Sequence, residues 1–140
     1  MGKIQFEIPG DVQAQQRPKF SRAGNGVKAV DPQESRDYKS FVRLVASQHA
    51  PDVLITEPIK LTIDVYRKIP KDKQTGPKMK LIGEGKLRPT TKPDIDNLAK
   101  GIKDGLSKVL WHDDSQVIEL VARKWYSENP RAVVTVEWVL

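Results

Sequence analysis

Apolar and polar side chains alternate without a break along residues 59–66. Ile59, Leu61, Ile63 and Val65 take one side, and Lys60, Thr62, Asp64 and Tyr66 the other. A period of two puts the apolar set on one face of a strand, and that face needs a covering layer. Two segments with helical period can supply it. The first follows Asp31-Pro32-Gln33-Glu34, which reads as a helix start with Asp31 at the N-cap, Pro32 at the first position and Glu34 at the third. Its stripe is Tyr38, Phe41, Val42, Val45 and Ala46, its exposed side carries Arg36, Lys39 and Arg43, and Pro51 closes it. The second is predicted from Asp94 to Leu110, with Ile95, Leu98, Ile102, Leu106 and Val109 buried.

Shorter strand signals flank this frame. Ile4, Phe6 and Ile8 alternate with polar residues and stop at Pro9-Gly10. A strand is expected from Gln116 to Tyr126, and a last one places Val134, Val136, Trp138 and Leu140 on one face. Between the first strand and the first helix, QAQQRPKFSRAGNGVKAV has no helical period and reads as a long loop with a Gly-Asn-Gly turn. Lys71 to Lys92 reads as a polar, basic arm. The order β-α-β-α-β-β describes an α+β fold, a small mixed β-sheet with two helices packed on it, in a single domain over residues 1–140.

Charge and composition narrow the function. The 140 residues carry 24 Lys+Arg against 18 Asp+Glu, a net charge of +6, which favours a polyanionic partner. The absence of cysteine excludes disulfides, thiolate metal sites and a cysteine nucleophile. No stretch reads as a signal peptide or a membrane span, so a cytoplasmic protein is expected. Walker-type loops, the G-x-S-x-G elbow and H-E-x-x-H are all missing.

Chemistry concentrates in Lys92-Pro93-Asp94-Ile95-Asp96-Asn97-Leu98-Ala99-Lys100. Pro93 sets Asp94 at or near the N-cap and Asp96 in the first turn. Asp96, Asn97, Lys100, Lys103 and Asp104 share a polar arc, so the Lys100 ammonium is expected to reach the space above the Asp96 carboxylate. A second acidic pair, Asp113-Asp114, lies in the turn after this helix, beside His112. A helix to Leu110 is roughly 25 Å long, so the two clusters meet only if the next strand runs back alongside, or across two subunits. Adjacent carboxylates in a basic protein would repel phosphate unless a hard divalent cation lay between them. Taken singly, Asp94 reads as a cap, Asp96 with Lys100 as a surface pair, and Asp113-Asp114 as a turn. Their co-occurrence beside a basic arm favours a site. His49 reads as a cap or surface residue and Trp111 as core.

These residues resemble the RusA family of endodeoxyribonucleases, the Holliday junction resolvases. The similarity runs through K-P-D-I-D-N-L-A-K, G-I-K-D-G-L and W-H-D-D-S-Q-V, and through the opening P-G-x-V-x-x-Q-x-R-P-K-F, closest to phage-type members. It implies that Asp94, Asp96, Asp114 and Lys100 are catalytic. The metal ligands would be Asp94, Asp96 and Asp114, assisted by Asp113. It also implies Mg²⁺ dependence, with Mn²⁺ able to substitute, and a homodimer that resolves branched DNA by paired nicks leaving 5′-phosphate and 3′-hydroxyl ends. A two-fold protein matches a two-fold junction. DNA contacts are expected from Arg17, Lys19, Arg22, Lys86, Arg88 and Lys92. Lys92-Pro93 stands where some members carry a run of arginines, so the 71–92 arm is expected to supply that charge. A bacterial or phage-encoded origin fits the opening loop. Two other readings stay open on the residues alone: a non-catalytic basic DNA-binding module, and a related nuclease acting on flaps or forks.

Overall fold

A computed structural model describes residues 2–16, 19–24, 26–30 and 32–139. Its elements are β1 (Gly2–Pro9), β2 (Lys19–Ala23), β3 (Gly26–Val30), α1 (Gln33–Ser47), β4 (Ile59–Lys68), α2 (Gly76–Gly83), α3 (Ile95–Leu106), β5 (Val117–Ser127) and β6 (Arg131–Trp138). Four strands form one mixed sheet in the order β1-β6-β4-β5, while β2 and β3 pair separately as an antiparallel hairpin. β6 runs antiparallel to both β1 and β4, and β5 runs parallel to β4. The parallel pair requires a long crossover, which α2 and α3 supply.

The predicted alternation decides which face is covered. Ile59, Leu61, Ile63 and Val65 of β4 are fully buried, as are Val134 and Val136 of β6. They pack against Val42 and Ala46 of α1 and Leu98, Ile102 and Leu106 of α3, in one core that also holds Trp111. The two helices approach closely. A Cβ added at Gly105 would lie 2.7 Å from Val42 Cγ1 and 3.1 Å from the Lys39 carbonyl oxygen. At Gly101 it would lie 2.8 Å from the Gln13 carbonyl oxygen, so the 11–16 segment runs directly along α3. The amide of Gln15 donates to the carbonyl of Asn97 at 3.0 Å and fixes that course.

The other sheet face carries a polar and aromatic layer. Asp64 accepts from Arg123 Nε at 2.6 Å and Nη2 at 3.1 Å, and from the Trp125 indole at 2.8 Å. Burial pushes the Asp64 carboxyl up, but these hydrogen bonds outweigh it and hold it below the usual range. The Arg88 guanidinium lies 3.9 Å over Trp125 and that of Arg131 lies 4.0 Å over Tyr66.

Several expectations need correction. The long loop after β1 contains the β2–β3 hairpin, held by cross-strand pairing, with Phe20 and Val27 exposed. The 71–92 arm contains a third helix, α2, which buries no residue and therefore lacks an apolar stripe. α3 stops at Leu106, not Leu110, because Ser107 leaves helical geometry and Lys108 turns back with φ +66. Pro32 occupies the N-cap of α1 in place of the first position, so the helix starts one residue later than expected, and Phe41 of its stripe is 38% exposed. Asp31 and Leu140 lie outside the described residues.

Candidate metal and nucleic-acid site

Asp94 occupies the N-cap of α3 with extended backbone, and Asp96 follows in the first turn. Both are exposed, and the Asp94 side chain makes no capping hydrogen bond. An aspartate in that position ordinarily caps the helix. Here its carboxylate makes no such bond, at the end where the helix dipole favours negative charge.

The chain just before Asp94 is held from the sheet. Lys124, near the end of β5, donates to the carbonyls of Thr91 and Pro93, each at 2.8 Å. Burial lowers the Lys124 pKa, the charge of Arg67 lowers it further, and the nearby Asp94 carboxylate opposes both. Lys124 therefore fixes the strap that presents Asp94 and contributes positive charge beside it. Sequence reasoning missed this residue, because nothing in β5 marks whether Arg123 or Lys124 turns toward the start of α3.

Lys100 does not stand above Asp96 as expected. Its ammonium pairs with Asp104 at 3.0 Å, one turn further along, and Asp104 also lies 4.0 Å from Lys39. Lys100 remains more than half exposed. An exposed pair of this kind is worth little, so the ammonium is easily drawn elsewhere by a stronger anion.

The second acidic pair sits in a tightly bonded turn. Trp111 donates its indole N–H to Asp114 Oδ1 at 3.1 Å. Asp113 accepts from the Ser115 amide at 3.1 Å, which caps the short turn of residues Asp114–Gln116. The Gln116 Oε1 accepts from the amides of His112 and Asp113 at 2.9 and 2.8 Å. Its Nε2 donates to the carbonyls of Ile55 and Glu57 at 2.8 and 3.3 Å. His112 is exposed, and His49 stacks on Phe6 with ring centroids 4.9 Å apart.

Within one chain the two acidic clusters lie at opposite ends of β5. The strand starts beside the Asp114 turn and reaches the Asp94 strap only at Lys124. Seven residue steps at about 3.3 Å separate Val117 from Lys124, or roughly 20 Å. Among the described residues, no group of three or more His, Cys, Asp or Glu side chains stands close enough to hold a metal ion. The donor chemistry of Asp94 and Asp96, two exposed carboxylates with hard oxygen atoms two residues apart in the chain, suits a divalent cation, and among the described residues no third acidic or histidine side chain joins them.

The expected DNA contacts are placed unevenly. Lys19 and Arg22 lie on β2 of the hairpin, although their side chains, like the whole of Arg17, are outside what is described. Lys86 is exposed and pairs with Glu84 at 3.0 Å. Arg88 is turned inward: its Nε donates to the Lys124 carbonyl at 2.7 Å and its guanidinium covers Trp125. Lys92 is exposed and lines a cleft of about 300 Å³ beside Asp94. The other walls come from residues 11–14, Arg67, Lys68, Pro70, Pro89, Thr91, Pro93 and Tyr126.

The chain is thus a basic two-layer α+β protein that presents two exposed aspartates at the start of α3. The family profile Endodeoxyribonuclease RusA matches residues 9–137, and the chain belongs to that family. It is therefore placed among endodeoxyribonucleases. It is 45% identical over 140 residues to the uncharacterized protein YqaN of Bacillus subtilis (strain 168), covering 99% of each chain. It is 24% identical over 135 residues to the crossover junction endodeoxyribonuclease rusA of Lactococcus phage r1t, covering 96% of this chain and 95% of the relative. Among the described residues no helix is long and apolar enough to cross a membrane.

Proposed function

We propose that this protein is a Mg²⁺-dependent endonuclease that resolves four-way DNA junctions as a homodimer, by paired nicks leaving 5′-phosphate and 3′-hydroxyl ends. Mn²⁺ would substitute for Mg²⁺, and the setting would be the cytoplasm of a bacterium carrying phage-type recombination functions. The observation that carries the reading is the start of α3. There Asp94 and Asp96 are exposed, Asp94 forms no capping bond, and Lys124 grips the preceding Pro93 carbonyl close enough to feel the Asp94 charge. Family membership and the activity named for the phage relative support the same substrate class.

The metal would be held by Asp94 and Asp96 of one subunit and Asp114 of the other, with Asp113 beside it. The free edge of β5 supports such sharing. Among the described strands β5 pairs only with β4, and near its start Ile118 is 73% and Leu120 is 48% exposed. Towards the far end, Arg88 covers the edge by binding the Lys124 carbonyl, which leaves the 117–122 stretch open. Exposed apolar edges of this kind pair with other chains. Antiparallel pairing of two copies about a point near Leu120 would bring Asp114 of the partner subunit level with residues 125–126, close to the Asp94 strap.

Bound there, the ion supplies a Lewis acid for a phosphate oxygen and an activated water. Lys100, held only by its surface pair, would swing to the phosphate and offset its developing charge. The hairpin, with exposed Phe20 between Lys19 and Arg22 along β2, would lie against the DNA arms. The test is Mg²⁺-dependent nicking of a synthetic four-way junction, with linear duplex and flap DNA as competitors. Symmetric nicks on opposed strands are expected. Binding without cleavage in both Mg²⁺ and Mn²⁺ would reduce the protein to a DNA-binding module, and flap preference would reassign its substrate.

A further inference from the structure

The cleft beside Asp94 is not used by the chemistry described above. We propose that it takes one unstacked nucleotide of the cut strand, adjacent to the scissile phosphate. This inference rests on the proposed nuclease function and names a subsite for it.

Position comes first. Lys92 and Pro93 form part of the wall, and the next residue in the chain is Asp94. A strand whose phosphate met Asp94 and Asp96 would pass the cleft mouth within a residue of the cut. Size selects the occupant. About 300 Å³ is at the small end of ligand pockets, enough for a single nucleotide and too narrow for stacked base pairs. Only a nucleotide that has left the stack can enter. Unstacking costs least where pairing is already broken, as at a branch point.

The lining matches both halves of a nucleotide. Arg67, Lys68 and Lys92 present three cations against the single carboxylate of Asp11, a balance that favours a phosphate. Pro70, Pro89 and Tyr126 add flat, largely apolar surface of the kind against which a base packs. The walls are also braced from outside. Arg67 Nη1 donates to the Val12 carbonyl at 2.8 Å, tying the 11–14 segment to the end of β4. On the opposite side Lys124 fixes the carbonyls of Thr91 and Pro93. A cleft held open in this way needs little ordering when it is filled.

The probe is a four-way junction carrying 2-aminopurine at single positions on either side of the cut. It is bound by the Asp96→Asn protein in Mg²⁺ so that the strand stays intact. One flanking position should brighten several-fold as its base leaves the stack. Thr91→Phe, added to fill the cleft, should abolish that rise while junction binding persists. No brightening at any position, or brightening that survives Thr91→Phe, overturns the proposal. Should Thr91→Phe fail to fold, wild-type protein is given junctions with an abasic residue at each flanking position in turn. Nicking should then slow several-fold at one position, and equal rates at all of them overturn the proposal. A protein that nicks junctions yet fails these tests loses the nucleotide pocket alone. One that never nicks loses the nuclease reading together with the pocket.

Discussion

The ammonium of Lys124 donates to the carbonyl of Pro93 at 2.8 Å, so the edge strand of the sheet grips the residue that introduces Asp94. The same group binds the Thr91 carbonyl and feels the Asp94 charge. Lys124→Met should cost about 1–3 kcal/mol in urea unfolding, the range for hydrogen bonds to a charged group. A role in placing Asp94 should show as a raised Mg²⁺ requirement for nicking, beyond any loss of folded protein. Lys124→Arg should restore much of the stability. An unchanged Mg²⁺ requirement would leave Lys124 a purely structural strut.

The proposed sharing of a metal site between subunits predicts a sharp outcome for mixed dimers. Asp96→Asn and Asp114→Asn should each lower nicking by roughly 10²-fold or more, the scale for losing one charge-stabilising group. Mixing the two variants should restore activity, because one site in each mixed dimer then holds only wild-type groups. The restored product should be a single nick rather than a symmetric pair. Failure of the mixture to recover, with mixed dimers shown to form, would place all the ligands in one subunit.

The close approach of α1 and α3 at Gly105 leaves no room for a methyl group. Alanine should favour the helix by about 1 kcal/mol over glycine. Overpacking against Val42 and the Lys39 carbonyl should cost about 1–3 kcal/mol. Gly105→Ala is therefore expected to lower thermal stability, and a rise in melting temperature would show that the helices separate freely.

Asp64 gives the pH dependence a definite sign. Its folded pKa lies below the ordinary 3.8, so the stability it contributes is present above that value and lost as pH falls through the folded pKa. Asp64→Asn should cost roughly 1 kcal/mol at neutral pH, a small figure because Arg123 is 45% exposed. The gap between variant and wild type should close in acid below pH 3.8. A gap that stays constant through that range would mean the carboxylate charge contributes nothing.

The sheet and both predicted helices were legible because burial writes a period into the sequence. β4 shows it at period two, and Leu98, Ile102 and Leu106 of α3 show it at helical spacing, all fully buried. The hairpin and α2 were illegible for the converse reason. α2 buries no residue, and Phe20 and Val27 of the hairpin are exposed, so no apolar period marks either. At the site, the spacing of Asp94 and Asp96 could be read locally because both sit in one turn of helix. Lys124 and Arg67 could not, since they approach from strand ends 57 residues apart in the chain. Nor could residue spacing decide where Asp114 falls, because β5 carries it away from Asp94 within one chain.

Gln116 has both ends of its amide satisfied, joining the turn that bears Asp114 to the carbonyls of Ile55 and Glu57. That corner is thus set during folding, whether or not an ion or a second copy is present. The entropy of freezing it is lost when the monomer forms and is not subtracted again on association. Substitutions along the exposed apolar edge of β5 would leave the aim of the Asp114 carboxylate undisturbed.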